Sequence, residues 1–77
     1  MDVRSMVEAV AQALVDQPDK IRVKETRSES MIIIEVVSNG EIGKIIGKDG
    51  KTAEALRFLV NCISARKKER YFLQIVG

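Results

Sequence analysis

The segment Met31-Ile32-Ile33-Ile34-Glu35-Val36-Val37 constrains this chain most. Five of its seven residues are β-branched aliphatics. Such side chains are stiff at χ1 and pack well on a pleated surface. A nearly continuous apolar run of this kind reads as the central strand of a sheet. Ser38-Asn39-Gly40 ends it with turn chemistry. With 77 residues there is room for one small domain, so everything else must pair with this strand or cover it. A core of that size is marginal, and association with a partner is expected.

The neighbouring segments supply that cover. Val3, Met6, Val7, Val10 and Leu14 share one face of a helix that Asp2 caps. Pro18 disfavours helical geometry in the residue before it, which places the helix end near Gln17. Residues 20–27 alternate, with Ile21 and Val23 on one side and Arg22, Lys24 and Thr26 on the other, as in a half-buried strand. Arg27-Ser28-Glu29-Ser30 is a turn short enough for a hairpin. After the central strand come a short helical stretch (Glu41–Ile46), a loop (Gly47–Gly50) and a long helix from Lys51 to about Arg66. Ala53, Leu56, Leu59, Val60 and Ile63 share a face of that helix. Lys67-Lys68-Glu69 is a turn, and Tyr71, Leu73 and Ile75 alternate in a final strand, which points Tyr71 into the core. The order is α-β-β-α-α-β. The first two strands form an antiparallel hairpin. The last two, joined through helices, are parallel with a right-handed crossover. The fold class is α+β, a three-stranded mixed sheet with helices on one face.

Composition removes several functions. There is no His and one Cys, Cys62, which excludes an internal disulfide and a zinc site of the usual ligands within the chain. A Ser–His or Cys–His catalytic pair is excluded too. Nothing approaches a membrane-spanning length, and Asp2, Glu8 and Asp16 do not suit a signal peptide. An enzyme would need a carboxylate pair such as Asp49 with Glu54, both expected to be solvated. The net charge is only +2, yet it divides unevenly. Residues 1–43 hold eight acidic and five basic side chains; residues 44–77 hold three acidic and eight basic ones. Such segregation suits an anionic partner.

The change of sign falls at Gly43-Lys44-Ile45-Ile46-Gly47-Lys48-Asp49-Gly50-Lys51-Thr52. Glycine permits positive φ and close approach of another backbone. Lysines supply charge beside the opening, and the free N–H groups of the following helix point into it. Phosphate is the obvious anion for such a place. Gly50-Lys51-Thr52 looks like the end of a P-loop, but Ile45 stands where its first glycine belongs. The same residue breaks a G-x-G-x-x-G fingerprint, and the chain is too short for either host fold.

What remains is a G-x-x-G loop between two helices, and here the sequence resembles the KH-domain family. The pattern I-I-G-K-x-G-x-x-x-x-x-[LI] is matched by Ile45 through Gly50 and by Leu56. The element order matches the prokaryotic, type II fold. Length and N-terminal helix are similar to those of the small stand-alone bacterial KH-domain RNA-binding proteins, the KhpA family. The resemblance spans residues 1–77 as a single KH domain with its G-x-x-G loop at 47–50. It implies a cytoplasmic, non-catalytic module that binds single-stranded RNA, as an RNA chaperone or a small-RNA and mRNA binder. It also implies a homodimer or a heterodimer with a second KH protein of the KhpB (Jag, EloR) kind, and links to cell division, cell shape and envelope growth. No cofactor, membrane or small-molecule substrate is implied.

In the family the loop clamps the backbone of about four nucleotides while bases lie in an apolar groove. Carried over by position, Gly47 and Gly50 admit the phosphates and Lys48 faces them from the tip. Asp49 departs from a doubly basic tip and subtracts charge. Lys44 and Lys51 flank the loop. Ile45 or Ile46 forms part of the groove wall, with Ile42, Ala55 and the edge of the central strand. Arg66, Lys67, Lys68 and Arg70 border its far side. Few aromatic residues are available for base stacking, so binding rests on backbone contacts and aliphatic packing. Short sites and modest affinity follow, which favours dimers.

One pattern is left over. Ala55, Phe58, Cys62 and Ala65 form a second apolar stripe on the long helix. Either the helix is buried on two sides or the stripe meets another chain, most simply across a two-fold axis. Met31, Ile33 and Phe72 on the sheet offer a rival contact. The alternative to RNA binding is a protein–protein adaptor on a KH-like scaffold whose loop, carrying Asp49, has weak or lost RNA binding.

Overall fold

A computed structural model describes residues 2–76. Met1 and Gly77, the ends of the expected 1–77 domain, lie outside the described residues. The order is α1 (Val3–Leu14), β1 (Ile21–Arg27), β2 (Ile32–Ser38), α2 (Ile42–Ile46), α3 (Lys51–Lys67) and β3 (Tyr71–Val76). Short 3₁₀ turns occupy Pro18–Lys20 and Lys48–Gly50.

The apolar run lies in the middle of the sheet. The strand order is β1-β2-β3, with β1 antiparallel to β2 and β3 parallel to it. Registers pair Val23 with Val36 and Ile34 with Leu73. One face of the sheet therefore carries Ile21, Val23, Ile32, Ile34, Val36, Tyr71 and Leu73, all buried. Ile34 and Val36 are 0% exposed. Val3, Val7 and Ala11 of α1, Ile45 of α2, and Leu56 and Val60 of α3 complete the same cluster. Each aliphatic side chain so buried stabilises the fold by roughly 1.5–3 kcal/mol. On the other face Ile33, Glu35 and Val37 are half-buried, and Phe72 is exposed. Helices thus cover one side only.

Helix ends follow local chemistry. The Asp2 carboxylate accepts a 2.7 Å hydrogen bond from the Ser5 N–H, capping α1 as its sequence predicts. The helix stops at Leu14, earlier than Pro18 alone dictates. Val15 turns extended (φ −110°, ψ 161°) and is buried in the core. Burying Val15 replaces another helical turn, and Leu14 is consequently exposed. At the other end of the chain, α3 closes on Lys68 in the left-handed region (φ 58°), with the Ser64 carbonyl accepting N–H bonds from Lys68 and Glu69. The Ser64 hydroxyl accepts from the Tyr71 N–H at 3.3 Å and donates to the Glu69 carbonyl, fastening β3 to α3.

Leu59 departs from its expected place. It is 45% exposed, while Ala53, Leu56 and Val60 are buried. At 100° per residue Leu59 lies closer to Ala55 and Cys62 than to Val60, and the sheet reaches only the Leu56–Val60 side.

Two outcomes test this account. Ile34→Ala should cost about 2–5 kcal/mol, a large part of the roughly 4–12 kcal/mol expected for a domain of this length. Ile33→Ala, one residue along on the open face, should cost less than half as much; urea midpoints read both. The Asp2 carboxyl is held below its ordinary value by the Ser5 backbone hydrogen bond. Its contribution is therefore complete above the unfolded-state value near 4 and lost as pH falls through the lower folded-state value. Circular dichroism should show that acid-side loss of α1 in the native chain and a smaller one in Asp2→Asn, which keeps the cap without the charge.

Candidate nucleic-acid interface

The loop expected to grip a ligand is built by three successive reversals of the backbone. Ser38, buried at the end of β2, accepts the Glu41 N–H on its hydroxyl and sets the approach to α2. After five residues α2 stops at Gly47 (φ 80°, ψ 175°), whose N–H bonds the Gly43 carbonyl at 2.9 Å. Asp49 (φ 56°, ψ 25°) and Gly50 (φ 73°, ψ 12°) then lie in the left-handed region, and α3 begins at Lys51. No side chain caps the first N–H groups of α3. The Lys51 N–H donates to the Lys48 carbonyl of the preceding turn, so only the N–H groups after it can meet solvent or an anion.

The glycines are not equivalent. A Cβ on Gly47 would stand 2.3 Å from the Thr52 hydroxyl and 2.7 Å from its Cβ. Gly47 is therefore required by the packing of the loop on the first turn of α3, as well as by its φ. At Gly50 a Cβ would meet nothing within 4 Å, so only its backbone conformation asks for glycine and the space beside it is open. Gly43 has neither constraint.

The charges sort in the same way. Lys48 and Lys51 are exposed and make no ion pair among the described residues. Lys44 is engaged: its ammonium pairs with Asp16, and with Glu41 at 3.9 Å. The hydrogen bond to Asp16 raises its pKa and stabilises the charged form. This clasp ties the segment after α1 to α2. Asp49 is exposed at the tip beside Lys48.

Of the two isoleucines ahead of the loop, Ile45 is 0% exposed and belongs to the core, so it presents no wall to a ligand. Ile46 is 37% exposed. Adjacent helical residues point about 100° apart, so in a two-layer domain one faces the sheet and the other the surface. Ile42 is half-buried and Ala55 is exposed. The edge of the central strand is not available, because β2 is paired on both sides. The free edges belong to β1 and, on the α3 side, to β3. Between it and α3 runs a cleft of about 170 Å³ lined by Arg57, Val60, Asn61, Tyr71, Phe72 and Leu73. Arg57, Asn61 and Phe72 were not readable as cleft residues from the sequence. The available signal was Phe72, a large apolar residue out of phase with buried Tyr71 and Leu73. Tyr71 is buried as expected, its hydroxyl 3.4 Å from a Glu69 oxygen, and burial raises its pKa.

On the remaining side of α3, Ala55, Phe58, Cys62 and Ala65 are all exposed, Phe58 at 67%. The helix is thus covered along one stripe only, and Leu59 widens the exposed one.

A mixed three-stranded sheet in the order α-β-β-α-α-β, with a G-x-x-G turn between its last two helices, defines a KH-like domain. The family model described as "KhpA/KhpB, KH domain" matches residues 4–75, and the chain belongs to that family. A protein of Halalkalibacterium halodurans named RNA-binding protein KhpA is 42% identical over 74 residues, covering 95% of this chain and 97% of the relative. Proteins of the same name from Caldanaerobacter subterraneus subsp. tengcongensis and Aquifex aeolicus are each 40% identical. They cover 92% and 95% of this chain, and 96% and 94% of their own lengths. No solved structure matches the chain significantly.

A glycine scan separates the roles. Gly47→Ala should cost about 1–3 kcal/mol or more, from its φ,ψ region and from Thr52. Gly50→Ala should cost about 1–2 kcal/mol of backbone strain alone, whereas Gly43→Ala should be neutral or stabilising by up to about 1 kcal/mol. Thermal or urea denaturation gives the ranking.

Proposed function

We propose that this chain is a non-catalytic module that binds single-stranded RNA by its backbone at Gly47–Gly50. The observation that carries the reading is the pairing of a helix start without a side-chain cap and an open, left-handed Gly50 with two exposed lysines, Lys48 and Lys51, that make no ion pair among the described residues. Phosphates meet N–H donors and unspent positive charge at one place. Relatives named RNA-binding proteins across nearly the whole chain support the same ligand. Ile46 supplies an apolar contact beside the loop, and the α3–β3 cleft receives bases on Phe72 and the stem of Arg57. Lys44, clasped by Asp16 and Glu41, acts as a structural tie more than as a ligand contact. Asp49 weakens the grip by one charge and keeps binding modest. Such a grip suits an RNA chaperone or a binder of small RNAs and mRNAs in the cytoplasm.

The exposed stripe Ala55–Phe58–Leu59–Cys62 supports a second element of the reading, a dimer through α3. The partner is a second copy or a KhpB-like KH protein. Pairing two weak sites raises effective concentration. The same stripe, with Asp49, is what favours the adaptor reading, in which partner binding is the whole function.

Lys48→Asp tests the first reading. It creates two adjacent acidic residues at the tip while leaving Gly47 on Thr52 and Gly50 in place, so the fold persists. Gel-shift affinity for single-stranded RNA should fall at least tenfold, and wild-type affinity should fall with salt by roughly 0.7 log units per log unit of salt for each phosphate held. Unchanged RNA binding with partner capture intact points to the adaptor. Independently, Phe58→Asp should convert dimers to monomers in light scattering without changing the circular dichroism spectrum. A wild type already monomeric at high concentration removes the α3 dimer.

A further inference from the structure

The edge of the sheet formed by β1 uses only half of its backbone groups. At the end of the hairpin the Ser28 N–H donates to the Met31 carbonyl at 2.9 Å. Bonded pairs alternate along an antiparallel ladder, so Thr26, Lys24 and Arg22 exchange bonds with Ile33, Glu35 and Val37. The Asn39 N–H, donating to the Lys20 carbonyl at 3.4 Å, continues the same alternation. The N–H and C=O groups of Val23, Glu25 and Arg27 therefore point away from β2, to a side on which no other strand lies among the described residues. One of them is met by a side chain. The Arg4 guanidinium donates to the Val23 carbonyl at 3.5 Å, a long bond that an incoming N–H can replace, and pairs with Glu8 at 3.4 Å.

The side chains beside this row are cationic. Arg22 and Lys24 are exposed on the sheet face that the helices leave open, and they make no ion pair among the described residues. Glu35 stands opposite Lys24 in the ladder without pairing with it. Arg27, by contrast, is engaged by Glu25 at 2.7 Å and Glu69 at 3.5 Å.

These charges oppose pairing of β1 with its own copy. Of the antiparallel registers that use the free groups, the full-length one sets Lys24 opposite a second Lys24. A shift by one step of the alternation sets Arg22 opposite Lys24 in one direction and Glu25 opposite Glu25 in the other. Like charges directly opposite one another destabilise a strand pair. A strand with carboxylates at those positions reverses the sign. Arg22 and Lys24 stand about 6.8 Å apart, the two-residue repeat of a strand, which matches alternate side chains of an added strand. They also fall in the non-hydrogen-bonded pairs of that new ladder, where opposed side chains come closest.

We propose that the β1 edge docks an extended acidic segment of a partner protein, added antiparallel as a fourth strand with carboxylates opposite Arg22 and Lys24. Main-chain bonds to Val23, Glu25 and Arg27 supply the hold, and the two cations supply the choice of partner. The edge lies across the sheet from β3, so its occupant leaves the α3–β3 cleft open.

An NMR titration of the chain tests it, with a capped peptide of alternating valine and glutamate, seven residues long like β1. Amide hydrogen exchange should slow at Val23, Glu25 and Arg27, whose N–H groups face outward, and not at Lys24 or Thr26, which already bond β2. Methylating the valine nitrogens, which face β1 in this register, should weaken binding at least about tenfold. Methylating the glutamate nitrogens, which face solvent, should leave it unchanged. Arg22→Gln with Lys24→Gln, both outside the core, should weaken the unmethylated peptide roughly three- to thirtyfold through the loss of two opposite-charge pairs. Circular dichroism of that variant should match the wild type. Equal behaviour of the two methylated peptides overturns strand addition in favour of loose charge attraction. A wild type that binds no peptide overturns the docking and leaves the charges as a guard against edge pairing alone. Unchanged peptide binding in the double variant overturns it too, and a loss of single-stranded RNA affinity in that same variant assigns the two cations to RNA instead.

Discussion

Ile34 lies at the crossing point of this domain. It is flanked by β1 and β3 within the sheet, and α1 and α3 pack over the same face. With only one covered face, the domain has one layer of apolar contact to resist the conformational entropy of the whole chain. The site depends on that layer. Ile45, fully buried, anchors α2 to the core; Leu56 and Val60 anchor α3. The loop between these helices contributes no buried residue of its own. Its shape is imposed from both ends, by two helices that the same apolar layer holds in position.

That division explains why the fold was easier to read in the sequence than the site. Alternation in Ile21–Val23 and Tyr71–Leu73 and the continuous β-branched run of β2 mark the strands, and their pairing and direction followed from the turn and the helices that connect them. The Asp2 cap was readable because it needs only local contacts. Errors arose where a residue's fate depends on what lies across from it. Leu59 fits the helical stripe of Leu56 and Ile63, yet the sheet is too narrow to reach it. Ile45 and Ile46 are interchangeable as letters, and only the direction from which α2 meets the sheet decides which is core. Lys44 looks as free as Lys48 in the sequence. Its partner, Asp16, is 28 positions away and comes near only because Val15 leaves the helix early to enter the core.

The family pattern and the geometry speak to different properties of the same residues. The pattern I-I-G-K-x-G places the loop, and the family model and the relatives match nearly the full chain. Geometry shows why two of the letters are glycine for unlike reasons, one because Thr52 leaves no room and one because the backbone turns left-handed into open space. A nearly neutral total charge conceals a similar division. Of the basic side chains in the second half, Lys44 is spent on structure, while Lys48, Lys51, Lys68 and Arg70, at the two ends of α3, make no ion pair among the described residues.

Asp49 occupies a backbone conformation open at low cost to very few residue types: glycine, asparagine and aspartate. Among these three, shape is common and charge is not. The position therefore works as a one-charge dial on a rigid frame. Exchanging Asp for Asn or Gly alters the local potential by a full unit while the turn keeps its path. A lineage can thus retune the charge at this tip in a single codon change, with no rebuilding of the helices that carry it.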